Sequence, residues 1–138
     1  MKTQIAKPNR RGIATVECAL CLPLILLVTF GVIETCSALF VKEALTIAAY
    51  EGARVGIQSG ATEYDAETRI REVLEERRIE YTEDSICFSE PSFTDAGALD
   101  PVTTTISVCC NGNTVAGWFL KDRVISATAT LRKEYKNQ

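Results

Sequence analysis

The chain has 138 residues, a formal net charge of −3 and no histidine. This length supports one small domain at most. Without histidine the chain lacks both a His-activated nucleophile and the commonest zinc ligand. Residues 1–12 contain four basic residues and no acid, so removing them would change the net charge from −3 to −7. The acidic remainder argues against a nucleic-acid partner, because phosphate binding needs a basic face.

A long apolar run follows the basic residues. Between residues 13 and 33 the only charged side chain is Glu17. As a helix this run spans ~31 Å, which matches a hydrocarbon core of ~30 Å. The positive-inside rule places the N-terminus in the cytoplasm and the residues after the run outside. We therefore predict one membrane-spanning segment, with the lipid bilayer as a partner.

The same helix is predicted to continue beyond the membrane. After Glu34 small apolar residues recur at three- and four-residue steps, and Gln58-Ser59-Gly60 supplies a stop signal. A helix from about Ile13 to Ser59 would run ~70 Å, so half of it must protrude. Pro23 should bend it. The small apolar stripe consists of Ala38, Val41, Leu45, Ala48, Gly52 and Val55.

A second, shorter helix is predicted next. Thr62 and Asp65 have the spacing of a capping box, and the apolar edge reaches about Arg78. Arg77 and Arg78 lie among glutamates, which is typical of a solvated helix surface. The apolar edge is formed by Ile70, Val73 and Leu74.

Three segments after this helix alternate with period two and are rich in β-branched residues. Residues 85–90, 102–110 and 123–135 are therefore predicted strands. In the last strand, Ile125, Ala127, Ala129 and Leu131 share the face that covers a helix, while Ser126, Thr128 and Thr130 face water. Loops are predicted at Pro91, Gly97, Pro101 and residues 111–113. The predicted fold is α+β: a long N-terminal helix packed by its protruding half on a small antiparallel sheet of about three strands, with a second short helix beside it.

Two conventional export signals fit the N-terminus poorly. A secretory signal cut after Ala38 would have small residues at the right places, but the apolar run is long and Glu34 is an unfavourable neighbour. A lipoprotein signal needs a small residue before the modified cysteine, whereas Leu20 precedes Cys21. A third possibility is a cut before the apolar run, between Gly12 and Ile13.

The residues around that third boundary resemble a known family. In "RRGIATVE" basic residues precede a glycine, an apolar residue follows, and a glutamate stands at the fifth position of the new chain, as in type IV prepilins. Together with "KEALTIAAYEGARVG" and the C-terminal "ISATATLRKE", this stretch resembles the TadE-like pseudopilins of the tight-adherence (Flp) pilus system. The resemblance covers most of the first sixty residues and the last ten. The family usually has an aromatic residue where Cys18 stands here.

The resemblance implies a minor, structural pilin-like subunit and neither a catalyst nor a cofactor. Such a subunit is made as a precursor in the bacterial inner membrane, and a prepilin peptidase would cut it between Gly12 and Ile13. It would then join other pilin-like subunits and the assembly platform in a pilus or secretion filament. On this basis residues 1–12 are a leader, residues 13–37 the transmembrane half of the first helix, and residues 38–138 the exported domain.

Glu17 has an assembly role and a simpler alternative. After cutting, the new amine of Ile13 would lie one helical turn from Glu17 and within reach of a neighbour's Glu17, where a charge pair would set the stagger between subunits. Alternatively, Glu17 lies near a helix N-terminus and the headgroups, where the helix dipole favours a carboxylate. A rival function is a membrane-anchored binding domain that is neither processed nor polymerised.

The six cysteines form two groups of three. Cys18 and Cys21 have the spacing of a redox or metal motif but lack its surroundings, so we predict apolar filler there. In the exported part, alternation places Cys110 on the apolar face of its strand and Cys87 and Cys109 on polar faces. We predict a disulfide from Cys87 to Cys109 or, as second choice, to Cys110. A thiol enzyme or metal chaperone built on Cys109 and Cys110 is the catalytic rival.

Overall fold

The computed structural model describes residues 11–115, 117 and 120–134. Within them the chain forms an α+β fold with two helices and one three-stranded antiparallel sheet, which confirms the predicted fold class. The elements in chain order are α1 (Arg11–Gly56), α2 (Glu63–Glu76), a 3-10 turn (Glu83–Ser85), β1 (Ile86–Phe88), β2 (Pro101–Cys109) and β3 (Val124–Arg132).

The sheet has the order β1-β2-β3. β2 and β3 pair over their whole length, from Pro101 opposite Arg132 to Cys109 opposite Val124. Pro101 is the first residue of β2 and not part of a loop, because a strand's first position tolerates the missing N–H. The predicted faces of β3 are confirmed: Ala127 is buried, Ile125, Ala129 and Leu131 are half-buried, and Ser126, Thr128 and Thr130 are exposed.

The C-terminal half of α1 forms the centre of the core, and its small residues make the packing close. A Cβ atom added to Gly52 would lie 2.6 Å from Ile70 Cδ1 and 3.2 Å from the Ala66 carbonyl oxygen, both on α2. At Gly56 it would lie 2.7 Å from the ring of Phe93. The small stripe was therefore correctly predicted as a contact surface. The fully buried side chains of this half are Val41, Ala44, Leu45, Ala48, Ala49 and Ala53.

Contacts between α1 and β3 show that the two run in the same direction. The Lys42 ammonium donates a hydrogen bond to the Ser126 carbonyl. Further along both elements, the Glu134 N–H donates to the Ile57 carbonyl at 3.1 Å. The end of the sheet where β2 begins therefore lies near the C-terminus of α1. The opposite end of the sheet, with the connection from β2 to β3, lies toward the N-terminal half of α1.

Helix α2 begins at the predicted capping box. The Asp65 carboxylate accepts the Thr62 N–H at 2.8 Å, and the Thr62 hydroxyl accepts the Asp65 N–H at 3.4 Å. The predicted placement of Arg78 on this helix is wrong, because Arg78 has a φ of +56°. The Ile79 N–H reaches back to the Leu74 carbonyl at 2.9 Å, which is the closing bond of a Schellman motif. Burial of Ile79 supports this early end.

Candidate assembly surface and membrane boundary

The N-terminal half of α1 presents large apolar side chains outward. It belongs to a helix long and apolar enough to cross a membrane, and no residue of its apolar window is buried. Leu20, for example, is 75% exposed and Leu24 65% exposed. A contiguous surface of this kind on an otherwise packed protein marks contact with lipid or with partner helices. It fits a single-pass membrane anchor.

Three hydroxyl groups in and just after this half are hydrogen-bonded within the helix itself. The Thr29 hydroxyl donates to the Ile25 carbonyl and the Thr35 hydroxyl to the Gly31 carbonyl, both at 2.8 Å. The Ser37 hydroxyl donates to the Ile33 carbonyl at 2.9 Å. Internal partners of this kind are what a low-dielectric environment requires. These three side chains are thus compatible with lipid contact.

The predicted processing and assembly residues lie together at the start of α1. Gly12 and Ile13 are in its first turn, and Ile13 is 59% exposed. Glu17 is also exposed and follows Ile13 by four residues, which places both on one side of the helix. A Cβ atom added to Gly12 would meet nothing within 4 Å. Most of the predicted leader, residues 1–10, lies outside the described residues.

An exposed carboxylate on this surface is energetically demanding. A charged side chain at mid-bilayer costs ~2.5–3.5 kcal/mol even on lenient scales, and less near the headgroups. In a membrane, an ionised Glu17 would need either a position close to the membrane surface or a cation as its partner. The geometry brings the nitrogen of Ile13 to the neighbouring helical turn, but it is an amide nitrogen while the bond to Gly12 is intact.

The predicted cysteine faces are confirmed, whereas the predicted disulfide does not fit the sheet. Cys110 is buried, Cys87 and Cys109 are exposed, and all three thiols are free. β1 pairs with the middle of β2, so that Cys87 lies opposite Thr105. Cys109 is four residues further along β2, or ~13 Å at the rise of a strand, whereas disulfides join Cα atoms less than ~7 Å apart. Cys110 lies on the other face of the sheet.

The Cys109-Cys110 pair also has little of the environment of a reactive thiol. Burial, followed by the neighbouring Cys109 and by Glu34, raises the pKa of the Cys110 thiol and so keeps it protonated. Within the part of the chain that the structure describes, no three His, Cys, Asp or Glu residues are grouped to hold a metal ion.

Glu34 makes a long-range contact that sequence reasoning missed. It lies where the exposed apolar half of α1 ends, and it is only 1% exposed. Its Oε1 accepts the Leu120 backbone N–H at 2.8 Å, a contact across 86 positions of sequence. In the sequence Glu34 marks the change from an apolar to an amphipathic pattern, but nothing there indicates a partner in a loop near the other end of the chain.

The loop that Glu34 holds is also fixed at its base. The Cys110 N–H donates to the Arg123 carbonyl at 2.8 Å, and the Arg123 N–H donates to the Leu120 carbonyl at 3.1 Å. The Asn113 side-chain oxygen accepts the Glu80 N–H at 2.7 Å, while its amide donates to the Glu80 carbonyl at 2.9 Å. These bonds secure the loop between β2 and β3 to the segment after α2.

In the described residues, a long helix with an exposed apolar first half continues as the spine of a small α+β head. Residues 12–54 match the family model described as TadE-like protein. The match spans nearly all of α1 and confirms the resemblance there, whereas the C-terminal "ISATATLRKE" lies outside it. The match covers 43 of the 138 residues. Neither the curated proteins nor the solved structures contain a significant match to the chain.

Proposed function

We propose that this chain is a minor pilin-like subunit of a tight-adherence pilus or secretion filament. A prepilin peptidase cuts its precursor between Gly12 and Ile13, and Glu17 directs its assembly. The observation that carries the proposal is the position of Glu17. It is the sole charge among residues 13–33, it is exposed on the apolar surface, and it lies within the segment that matches the TadE-like model.

Cutting after Gly12 changes the chemistry of this surface. It replaces an uncharged amide with a protonated amine on Ile13, one turn from Glu17. In a packed filament the amine of one subunit lies beside the Glu17 carboxylate of another. In a low-dielectric environment the pair offsets much of the cost of keeping two charges from water, whereas either charge alone is costly. The pair thereby selects one axial stagger between neighbouring helices.

The two halves of α1 then have separate tasks. Residues 13–37 hold the subunit in the inner membrane, with the N-terminus in the cytoplasm, and present the assembly surface to other pilin-like subunits and to the assembly platform. Residues 38–138 form the exported head, and Glu34 at the boundary accepts a hydrogen bond from the Leu120 N–H of that head. Lipid holds the helix before assembly, and neighbouring helices hold it afterwards. Both need an outward-facing apolar surface, which this half of α1 has.

The test compares Glu17→Gln with Glu43→Gln in the native host. Both replace an exposed glutamate of α1 by its isostere, but Glu43 lies in the head half. We expect both variants to insert and to be cut, and only Glu17→Gln to be missing from sheared filaments on immunoblots. Normal co-assembly of Glu17→Gln would show that charge pairing is not the basis of assembly. A chain that remains uncut and never enters filaments would instead support the anchored binding domain.

A further inference from the structure

One side of α1 remains apolar and exposed after the predicted membrane-spanning run, residues 13–33, has ended. Leu39 is 63% exposed and Phe40 is 51% exposed. At 1.5 Å per residue, Phe40 lies ~10 Å beyond the end of that run. On the proposed function this height is outside the hydrocarbon core, so acyl chains do not cover the two side chains. An exposed apolar patch outside the lipid marks a contact with another protein surface.

These side chains face away from the head. Leu45 follows Cys36 by nine residues, or two and a half helical turns, so the two lie on opposite sides of α1. Leu45 is fully buried, whereas Cys36 is exposed. Leu39 and Phe40 follow Cys36 by three and four residues and therefore share its side of the helix. We call Cys36, Leu39 and Phe40 the outer patch.

Charge confines the outer patch to the turns nearest the membrane. Glu43 is exposed and follows Cys36 by seven residues, so it continues the same side. The neighbouring Lys42 is also exposed, but its ammonium donates to the Ser126 carbonyl of the head. Two outer patches that faced each other would therefore be followed by two like charges, which repel. The contact that the patch can make is short and reversible.

Membrane insertion makes a second copy the partner that fits the outer patch. Two copies of α1 in one bilayer run parallel and hold the same residue at the same depth, because the same apolar run sets both. A two-fold axis along the membrane normal then brings each outer patch against an identical one. A different membrane helix would need its own apolar patch at this height.

Cys36 reports directly on such a pairing. Packed helices have axes ~8–10 Å apart and carry their Cα atoms ~2.3 Å from the axis. Two Cys36 residues that face each other across the two-fold axis would thus have Cα atoms within the ~7 Å that a disulfide allows. The Cys36 thiol is free and exposed.

We propose that two membrane-anchored copies pair through the outer patch before assembly, with their Cys36 thiols within disulfide reach. The proposal rests on the proposed membrane insertion of α1. Both chains of this pair stand at the same height, whereas the Glu17 pairing proposed for the filament needs an axial stagger. The pair must therefore separate before either chain enters a filament. It is a resting form of the subunit in the membrane.

The experiment uses the full chain in native membranes, with Cys36 as the sole cysteine and the other five replaced by alanine. Added copper(II) phenanthroline oxidises two thiols to a disulfide, which releases two protons and passes two electrons to two Cu(II) ions. We expect most of the chain to migrate as a dimer on a non-reducing gel and to return to monomer with reductant. In the wild-type chain, peptide mapping should find Cys36 joined to Cys36.

Matched variants test the position of the contact. Moving the thiol with Cys36→Ala and Ala38→Cys should abolish the dimer, because Ala38 is half-buried toward the head. Leu39→Asp with Phe40→Asp should remove most of the cross-link. Tyr64→Asp is the control, since Tyr64 is 75% exposed on α2. Raising the lipid-to-protein ratio in reconstituted vesicles should leave the cross-linked fraction unchanged.

The outcomes separate this inference from the function on which it rests. Protein that floats with the membranes but cross-links no better than the Ala38→Cys variant would overturn the pairing and leave the anchor intact. A cross-link that falls in proportion to added lipid would identify random collision and would also overturn it. Full cross-linking in Leu39→Asp with Phe40→Asp would show that the outer patch is not the contact. Failure to float would overturn the anchor as well.

Discussion

The two halves of α1 form one continuous helix but differ in which side chains they expose and which they bury. Before Glu34 the helix exposes large apolar side chains, and after Glu34 its small residues are buried against α2 and the sheet. Large apolar residues on the outside suit a lipid solvent, in which contact with neighbouring helices is optional. Small residues on the inside allow a second backbone to approach, which fixes one packing arrangement. The difference is that the packed half turns one side, rich in small residues, toward its partners, whereas the anchor half exposes large apolar residues.

The largest loss of stability is expected when a large side chain is placed in the packed half of α1. Gly52→Leu forces a side chain into Ile70 and the Ala66 carbonyl, and we expect a loss of about 3 kcal/mol in the free energy of unfolding. Gly31→Leu is the matched change in the anchor half, where an added Cβ atom meets nothing within 4 Å. Urea unfolding in detergent micelles measures both. Equal losses would refute the division of α1 into two halves.

A smaller loss is expected at the far end of the packed half. The Lys133 ammonium donates to the Gly56 carbonyl at 3.0 Å and to the Phe93 carbonyl at 2.6 Å. Lys133→Met leaves both carbonyls without this donor and should lower the free energy of unfolding by about 2 kcal/mol. Lys121→Met, an exposed lysine at the other end of β3, is the control. If the two substitutions have the same effect, Lys133 does not anchor the end of α1.

A substitution in the capping box tests whether the stability of α2 depends on its capped N-terminus as well as on packing against α1. Thr62→Ala removes the hydroxyl that accepts the Asp65 N–H, and we expect a loss of about 1 kcal/mol. Thr68→Ala changes an exposed threonine within the same helix and should cost less than half as much, because alanine is the better helix former. The same unfolding measurement decides. A neutral Thr62→Ala would mean that packing on α1 alone sets the start of α2.

The smallest effect is expected on the exposed face of the sheet. Cys87→Ser, studied without reductant, should change the free energy of unfolding by less than about 0.5 kcal/mol, since the free thiol is exposed and lies opposite Thr105. Loss of a native disulfide would cost about 2–5 kcal/mol instead. A loss of that size, together with a cross-linked peptide containing Cys87 and Cys109, would show that the register of β1 differs from the one described.

Local patterns predicted most of the fold because each element carries its own signal. The period of the apolar residues located α1 and α2, the Thr62 and Asp65 pair located the start of α2, and alternation assigned the faces of β3. The end of α2 was placed late at Arg78. A Schellman closure depends on the burial of Ile79, which the charged residues around Arg78 conceal.

Features that depend on pairing between distant segments could not be predicted in the same way. The alternation rule placed Cys87 and Cys109 on polar faces correctly, but it contains no information on register, which sets their separation. Glu34 was noticed only as a charge beside an apolar run. Its partner, the backbone N–H of Leu120, carries no side-chain signal at all. Gly12, Ile13 and Glu17 were located by their spacing, and their roles remain predictions.

The most direct test of the account is the N-terminus of the mature chain. N-terminal sequencing and intact mass of protein purified from native membranes should give a chain that begins at Ile13. Gly12→Leu should block the cut without disturbing the fold, because an added Cβ atom at Gly12 meets nothing within 4 Å. A wild-type chain that begins at Leu39 would indicate an ordinary secretory signal, and an intact Met1 an unprocessed anchor. Either result would contradict the proposal that α1 is the spine of a processed pilin-like subunit.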